Sequence, residues 1–154
     1  MDRFWEIFHA AAPHQTVTSA LHVSIMDCLQ SLGITFKEEV PILEGLHTVD
    51  VVISLPGGGR AALEVDGPTH YLRTSLFGGS IIPPINGTTR MRNRIITSPA
   101  ANFAASFTVP YYEWELLEGA GAEREYITNL FAAQGFSLEA MKFVEPPPSS
   151  TTIA

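Results

Sequence analysis

The chain has 154 residues, of which 45% are hydrophobic and 16% are charged, and its net charge is −7. This length and apolar content predict one packed domain and exclude a disordered acidic chain. The acidic balance excludes a general electrostatic attraction to nucleic acid. The single Cys28 excludes an internal disulfide, and no apolar run reaches the roughly 18 residues that span a membrane.

The first half of the chain predicts a helix, a strand and a hairpin. Apolar residues recur at spacings of three and four from Thr16 to Leu32, which is typical of an amphipathic helix with Thr16 as N-cap and Gly33 after its end. Turn residues at 56–59 join two strand-like runs into a hairpin. The predicted elements are a helix at 16–32 and strands at 34–42, 48–55 and 60–67.

The second half opens with a long loop-like segment at 68–89, a length that is often functional. A short basic helix capped by Thr88 or Thr89 should follow. The remaining predicted elements are a strand at 102–109, a helical turn at 111–117 and a helix at 122–133. We therefore divide the chain into an N-terminal extension (1–15), one domain (16–135) and a tail rich in Pro, Ser and Thr (136–154).

Two carboxylates in the third predicted strand require a partner. Glu64 and Asp66 are two residues apart, so they project from one face of the strand, where like charges repel unless a cation or donor lies between them. A three- or five-residue hairpin loop would place Asp50 opposite Asp66 or Glu64 respectively. Only such a register puts Val49, Val51 and Ile53 on the same face as Leu63 and Val65, so the hydrophobic pattern predicts a cluster of three acids.

This order of elements, αβββαβ with acids on the second and third strands, is the layout of PD-(D/E)XK nucleases. In that layout Asp50 and Glu64 would bind Mg²⁺, which activates a water molecule. The third position, a lysine in those enzymes, is Asp66 here, so the lysine's role has no obvious residue. The catalytic candidates are Asp50, Glu64, Asp66 and His70, and His70 could equally hold its loop by bonding a strand carboxylate.

Four motifs within residues 48–117 resemble a RAP domain, an RNA-binding module that is abundant in apicomplexans. They are Val49-Asp50-Val51-Val52-Ile53, Glu64-Val65-Asp66-Gly67-Pro68-Thr69-His70-Tyr71, Asn86-Gly87-Thr88-Thr89 followed by Arg90-Met91-Arg92-Asn93-Arg94, and Val109-Pro110-Tyr111-Tyr112-Glu113-Trp114. The resemblance implies a restriction-endonuclease-like α/β fold, with a mixed sheet flanked by helices. One departure is Thr97-Ser98-Pro99-Ala100, where the family usually has Leu-x-x-x-Gly-Tyr.

The resemblance also implies a function in an organelle, either the mitochondrion or, as the alternative, the plastid. The expected partners are organellar RNA, in particular ribosomal RNA of a mitochondrial ribosome, and neighbouring proteins of that assembly, without a membrane. The first six residues resemble neither a signal peptide nor a transit peptide. Two other functions stay open, namely a metal-dependent ribonuclease and an architectural subunit of an organellar assembly.

Basic and aromatic residues supply the candidate RNA contacts. Three of the nine basic residues, Arg90, Arg92 and Arg94, fall within five positions and could contact phosphates or form a solvated helix face. Arg60 and Arg73 flank the acidic strand and would extend this patch. Tyr112 and Trp114 could stack on unpaired bases or close the core.

Overall fold

A computed structural model describes residues 20–72 and 82–141, which form a four-stranded sheet covered by helices on both faces. The strands are β1 (Phe36–Ile42), β2 (His47–Ser54), β3 (Arg60–Asp66) and β4 (Ala105–Pro110), and they lie in this order across the sheet. The β1–β2 and β2–β3 pairs are antiparallel, whereas β3 and β4 are parallel. The sheet is therefore mixed, as predicted.

The helices are α1 (Ala20–Ser31), α2 (Gly87–Ile96), α3 (Tyr111–Trp114), α4 (Gly119–Ala132) and α5 (Leu138–Met141). The order αβββαβ is thus confirmed, and it is compatible with a restriction-endonuclease-like core. Gly33 follows α1 with a φ of +74°, and the Ile34 N–H donates to the Leu29 carbonyl, so this helix ends as predicted. The predicted N-cap Thr16 lies outside the described residues.

The β2–β3 hairpin has the five-residue loop, which is one of the two registers that the hydrophobic pattern allowed. Ser54 pairs with Arg60 and Val51 pairs with Leu63, so the same register places Asp50 opposite Glu64. The loop turns through Gly57 and Gly58, whose φ values of +77° and +83° favour glycine.

The larger part of the core lies between the sheet and the pair α1 and α4. Phe131 of α4 and Phe107 of β4 are buried there, with ring centroids 4.7 Å apart in an edge-to-face arrangement. Ile25 and Leu29 of α1 join Leu63 of β3 in the same cluster. This face of the sheet is therefore filled by apolar side chains.

The opposite face carries a smaller apolar cluster, to which Ile96 of α2 contributes together with Val52 and Ala62. Val49 belongs to this cluster, although it was predicted to share a face with Val51 and Ile53. The strand pleat is interrupted beside it, because Glu39 of β1 has a φ of +51° between the paired residues at 38 and 40. On this face, α2 contacts the end of β3 that carries the carboxylates.

Several boundaries differ from the prediction. Asn86 caps α2, since its Oδ1 accepts the Thr89 N–H at 2.8 Å, so neither Thr88 nor Thr89 is the cap. The departure at 97–100 leads into a 3₁₀ turn at Pro99–Ala101. The segment 73–81, the N-terminal extension and the tail beyond Met141 lie outside the described residues. Among the helices that are described, none is long and apolar enough to cross a membrane.

The buried aromatic contact between α4 and β4 gives a test of this core. We expect Phe131→Ala to lower the free energy of unfolding by about 3–5 kcal/mol, because it leaves a cavity against Phe107. Urea denaturation of the full chain measures this loss. The control Leu116→Ala, at a side chain that is 80% exposed, should change stability by less than about 0.5 kcal/mol. Equal effects of the two substitutions would contradict the assigned packing.

Candidate functional site

Arg92 of α2 is the cation that lies between the two strand carboxylates. Its Nη2 donates to Asp66 Oδ1 at 2.7 Å, and its Nη1 lies 3.2 Å from Glu64 Oε2. All three side chains are buried, with Glu64 3%, Asp66 1% and Arg92 8% exposed. The two strand carboxylates, for which the sequence pattern showed no partner, therefore have a cationic partner within the chain.

Asn93 and His70 fix the orientation of the Arg92 guanidinium. Asn93 Oδ1 accepts from Arg92 Nε at 3.2 Å and from Nη2 at 2.9 Å. His70 Nδ1 lies 3.0 Å from Arg92 Nη1 and 3.4 Å from Asp66 Oδ1. His70 Nδ1 also lies 3.2 Å from Thr89 Oγ1; because a guanidinium only donates, any bond from Arg92 requires Nδ1 to accept.

The turn after β3 is tied to the start of α2 by further hydrogen bonds. The Thr89 hydroxyl donates to the His70 carbonyl at 3.2 Å, and the Asn86 side-chain amide donates to the Thr69 carbonyl at 2.7 Å. The Asn86 N–H also donates to the His70 carbonyl at 2.9 Å. His70 thus joins the network that holds α2 over the acidic strand, which is the structural role that the sequence allowed.

Asp50 completes the acidic cluster from β2. Its Oδ2 accepts the Val65 N–H at 2.8 Å, which satisfies one of its oxygens across the hairpin. Burial, followed by repulsion from Asp50, raises the pKa of Glu64 from 4.5 to about 8, although Arg92 opposes this rise. At neutral pH Glu64 is therefore protonated, and the shorter contact of Arg92 is the one to Asp66.

The acidic cluster does not fit a Mg²⁺ site in this arrangement. Magnesium requires several oxygen ligands in octahedral geometry, whereas the guanidinium of Arg92 occupies the position between Glu64 and Asp66. Across residues 20–72 and 82–141, no group of three or more His, Cys, Asp and Glu side chains is arranged to hold a metal ion. Glu64 Oε1 and Asp66 Oδ2 are buried without a hydrogen-bond partner in this part of the chain.

The other two arginines of α2 point into solvent. Arg90 and Arg94 are both exposed and lie one helical turn apart, so they share one side of the helix. Arg92 does not have the surface position that was predicted for it, because its side chain is buried against β3. The basic motif therefore divides into one buried structural cation and two exposed ones.

The two aromatic residues that were predicted to contact RNA, Tyr112 and Trp114, lie in different environments. Trp114 is 5% exposed, its Nε1–H donates to Ser24 Oγ at 3.1 Å, and its ring packs against Tyr126, so it has the core role. Tyr112 is half-buried in a cluster with Tyr71 and Tyr111, whose ring centroids lie 5.4 and 5.6 Å from its own. Contact of Tyr112 with RNA stays a prediction.

Arg60 lies at the opposite end of β3 from Asp66, about 20 Å along the strand. It is exposed, and its guanidinium carbon lies 5.1 Å from the centre of the Phe103 ring. It therefore does not adjoin the acidic end of the strand. Arg73 lies outside the described residues.

A cleft of about 230 Å³ opens beside Arg92, between α2 and the residues that begin β2. Its lining includes Leu46, His47, His70, Met91, Arg92 and Ile95. Sequence reasoning did not single out Leu46, His47, Met91 or Ile95. Leu46 precedes the second strand and Met91 lies within the basic motif, but their exposures of 76% and 65% are visible only in the fold.

The chain matches no family model, no curated protein and no solved structure.

The position of Arg92 predicts a large effect of its removal on stability. We expect Arg92→Met to cost about 3–5 kcal/mol of unfolding free energy at pH 7, because it leaves buried carboxyl groups without their cation. Urea denaturation at pH 7 measures this loss. Arg94→Met, on the exposed side of the same helix, is the matched control; a similar cost there would contradict the assignment.

The raised pKa of Glu64 predicts that stability falls with increasing pH. A carboxyl whose pKa is higher in the folded chain contributes its full stabilisation of the fold below its unfolded pKa of about 4.5. This contribution is lost as the pH rises to its folded pKa of about 8. Within this window the free energy of unfolding should fall by up to about 1.4 kcal/mol per pH unit.

Urea denaturation between pH 6.5 and pH 8 tests this dependence against Glu64→Gln, which mimics the protonated carboxyl and does not titrate. The variant should lose less stability than the native chain as the pH rises. Parallel profiles of the two proteins would show that Glu64 does not titrate in this range.

Proposed function

We propose that this protein binds single-stranded RNA without cleaving it. The observation that carries this proposal is the exposed pair Arg90 and Arg94 on α2, a helix whose ten residues include no acid. The resemblance to RAP domains supports the same function, and the element order agrees with the fold that this resemblance implies. The organellar location and the contact with ribosomal RNA are proposals that rest on the resemblance alone.

Local charge supports binding by α2 despite the net charge of −7. Five acidic residues lie in the segment 113–125, which runs from the end of α3 into α4, and α4 packs on the other face of the sheet. Of the acidic side chains nearest α2, Glu64 and Asp66 are paired with Arg92, which limits how far they oppose the two exposed arginines. With few cations available, affinity should be modest and sensitive to salt.

The buried arginine also favours binding over catalysis. A nuclease of the PD-(D/E)XK type uses a divalent cation and a lysine at its carboxylates. Here a guanidinium pairs with these carboxylates, and Glu64 is protonated at neutral pH. Both features lower the capacity of the cluster to bind a divalent cation.

The two exposed arginines predict a specific change in RNA binding. We expect Arg90→Ala/Arg94→Ala to weaken binding of a single-stranded oligonucleotide, and to reduce the slope of log K against log salt by about 1.4, since each phosphate contact contributes about 0.7. Fluorescence anisotropy at several salt concentrations measures both quantities. Arg124→Ala removes an exposed arginine from α4 and should leave the slope unchanged. An unchanged slope in the double variant would favour the architectural function.

The nuclease alternative is tested with labelled RNA in the presence of Mg²⁺ or Mn²⁺. We expect no cleavage by the native chain. Metal-dependent cleavage that is lost in Asp50→Asn/Glu64→Gln would overturn the proposed function. These substitutions keep the size of each side chain. Urea denaturation of the variant would verify that it is folded, so that loss of cleavage could not be explained by loss of folding.

A further inference from the structure

The cleft beside α2 is small and mainly apolar. Its volume of about 230 Å³ lies below the roughly 300–1,000 Å³ of pockets for drug-sized ligands. Leu46 and Met91 belong to its lining, and both are highly exposed for large apolar residues. Such exposed apolar side chains around a concave site are typical of binding surfaces.

One polar atom in this cleft is buried without a partner. His47 Nε2 has no hydrogen bond within the described parts of the chain, although its surface is inaccessible to water. Burial, and next the charge of Arg92, lower the pKa of His47, so the ring is neutral at pH 7. Because water cannot reach it, Nε2 lies behind the surface of the cleft and is not offered to a ligand there.

The basic side of α2 adjoins the mouth of the cleft. At about 100° per residue, Arg94 is separated from Met91 by about 60° around the helix, and Arg90 by about 100°. Met91 and Ile95 line the cleft, whereas both arginines are exposed. A ligand that fills the cleft and continues past Met91 therefore meets two positive charges.

We propose that this cleft receives one unstacked nucleobase of the bound RNA, with the flanking phosphates on Arg90 and Arg94. This inference rests on the proposed function and adds the means by which the strand is held. The faces of the base contact Leu46 and Met91, whose thioether suits an aromatic ring. Its edge lies toward His47, which belongs to the lining of the cleft.

Ligands that differ only in their bases test the proposal. The full chain is titrated with octamers of each of the four ribonucleotides, and with an abasic octamer that carries the same phosphates. Met91→Ser should weaken binding of the preferred octamer, the one that binds most tightly, about two- to twelvefold, which is the range for one lost contact between a thioether and an aromatic ring. It should leave binding of the abasic octamer, and the salt slope, unchanged.

Leu116→Ser, at an exposed apolar residue next to α3, is the control and should change neither affinity. The His47 ring-proton resonance gives a local readout, which should shift when the preferred octamer binds and not when the abasic octamer binds. Equal binding of both ligand types, unaffected by Met91→Ser, would overturn the base site while RNA binding stands. If no octamer binds at all, the proposed function itself fails.

Discussion

The ion pair network of Arg92 is the interaction on which the end of the sheet depends. Two carboxylates at alternate positions of a strand necessarily share a face, and burial makes their repulsion costly. A single guanidinium cannot fully pair with both, and its shorter bond goes to Asp66 at 2.7 Å. Burial, followed by repulsion from Asp50, raises the pKa of Glu64, so this carboxyl holds its proton instead. Burying the network also fixes where α2 must lie.

The same constraint sets which side chains α2 presents to solvent. Parallel β3 and β4 need a crossover connection, and α2 is the helix of that connection. Once Arg92 points at the sheet, residues two positions away lie about 200° around the helix and point outward. Arg90 and Arg94 are at these positions. A structural requirement of the strand carboxylates thus orients the arginines that we propose for phosphate contact.

The strand side of the site could be predicted from the sequence, but the helix side could not. The two-residue period places Glu64 and Asp66 together, and hydrophobic pairing across the hairpin adds Asp50. Helical spacing separates Arg92 from Arg90 and Arg94, but α2 has too few apolar residues to show which of its sides is buried. Trp114 was open for a similar reason, since an aromatic residue after a strand suits either core or surface. The cleft beside α2 is lined by segments about 40 residues apart in the sequence, which only the fold brings together.

The protonated state of Glu64 connects the buried network to the surface of α2. Charges separated by less than the Debye length of about 8–10 Å affect one another, and less water between them means less screening. An ionised Glu64 would add a negative charge directly beneath the helix that carries Arg90 and Arg94. Holding the proton removes that charge, so Arg92 balances Asp66 and the outer arginines keep their attraction for phosphate. The acidic motif and the basic motif are therefore compatible in one small domain because one carboxyl stays neutral.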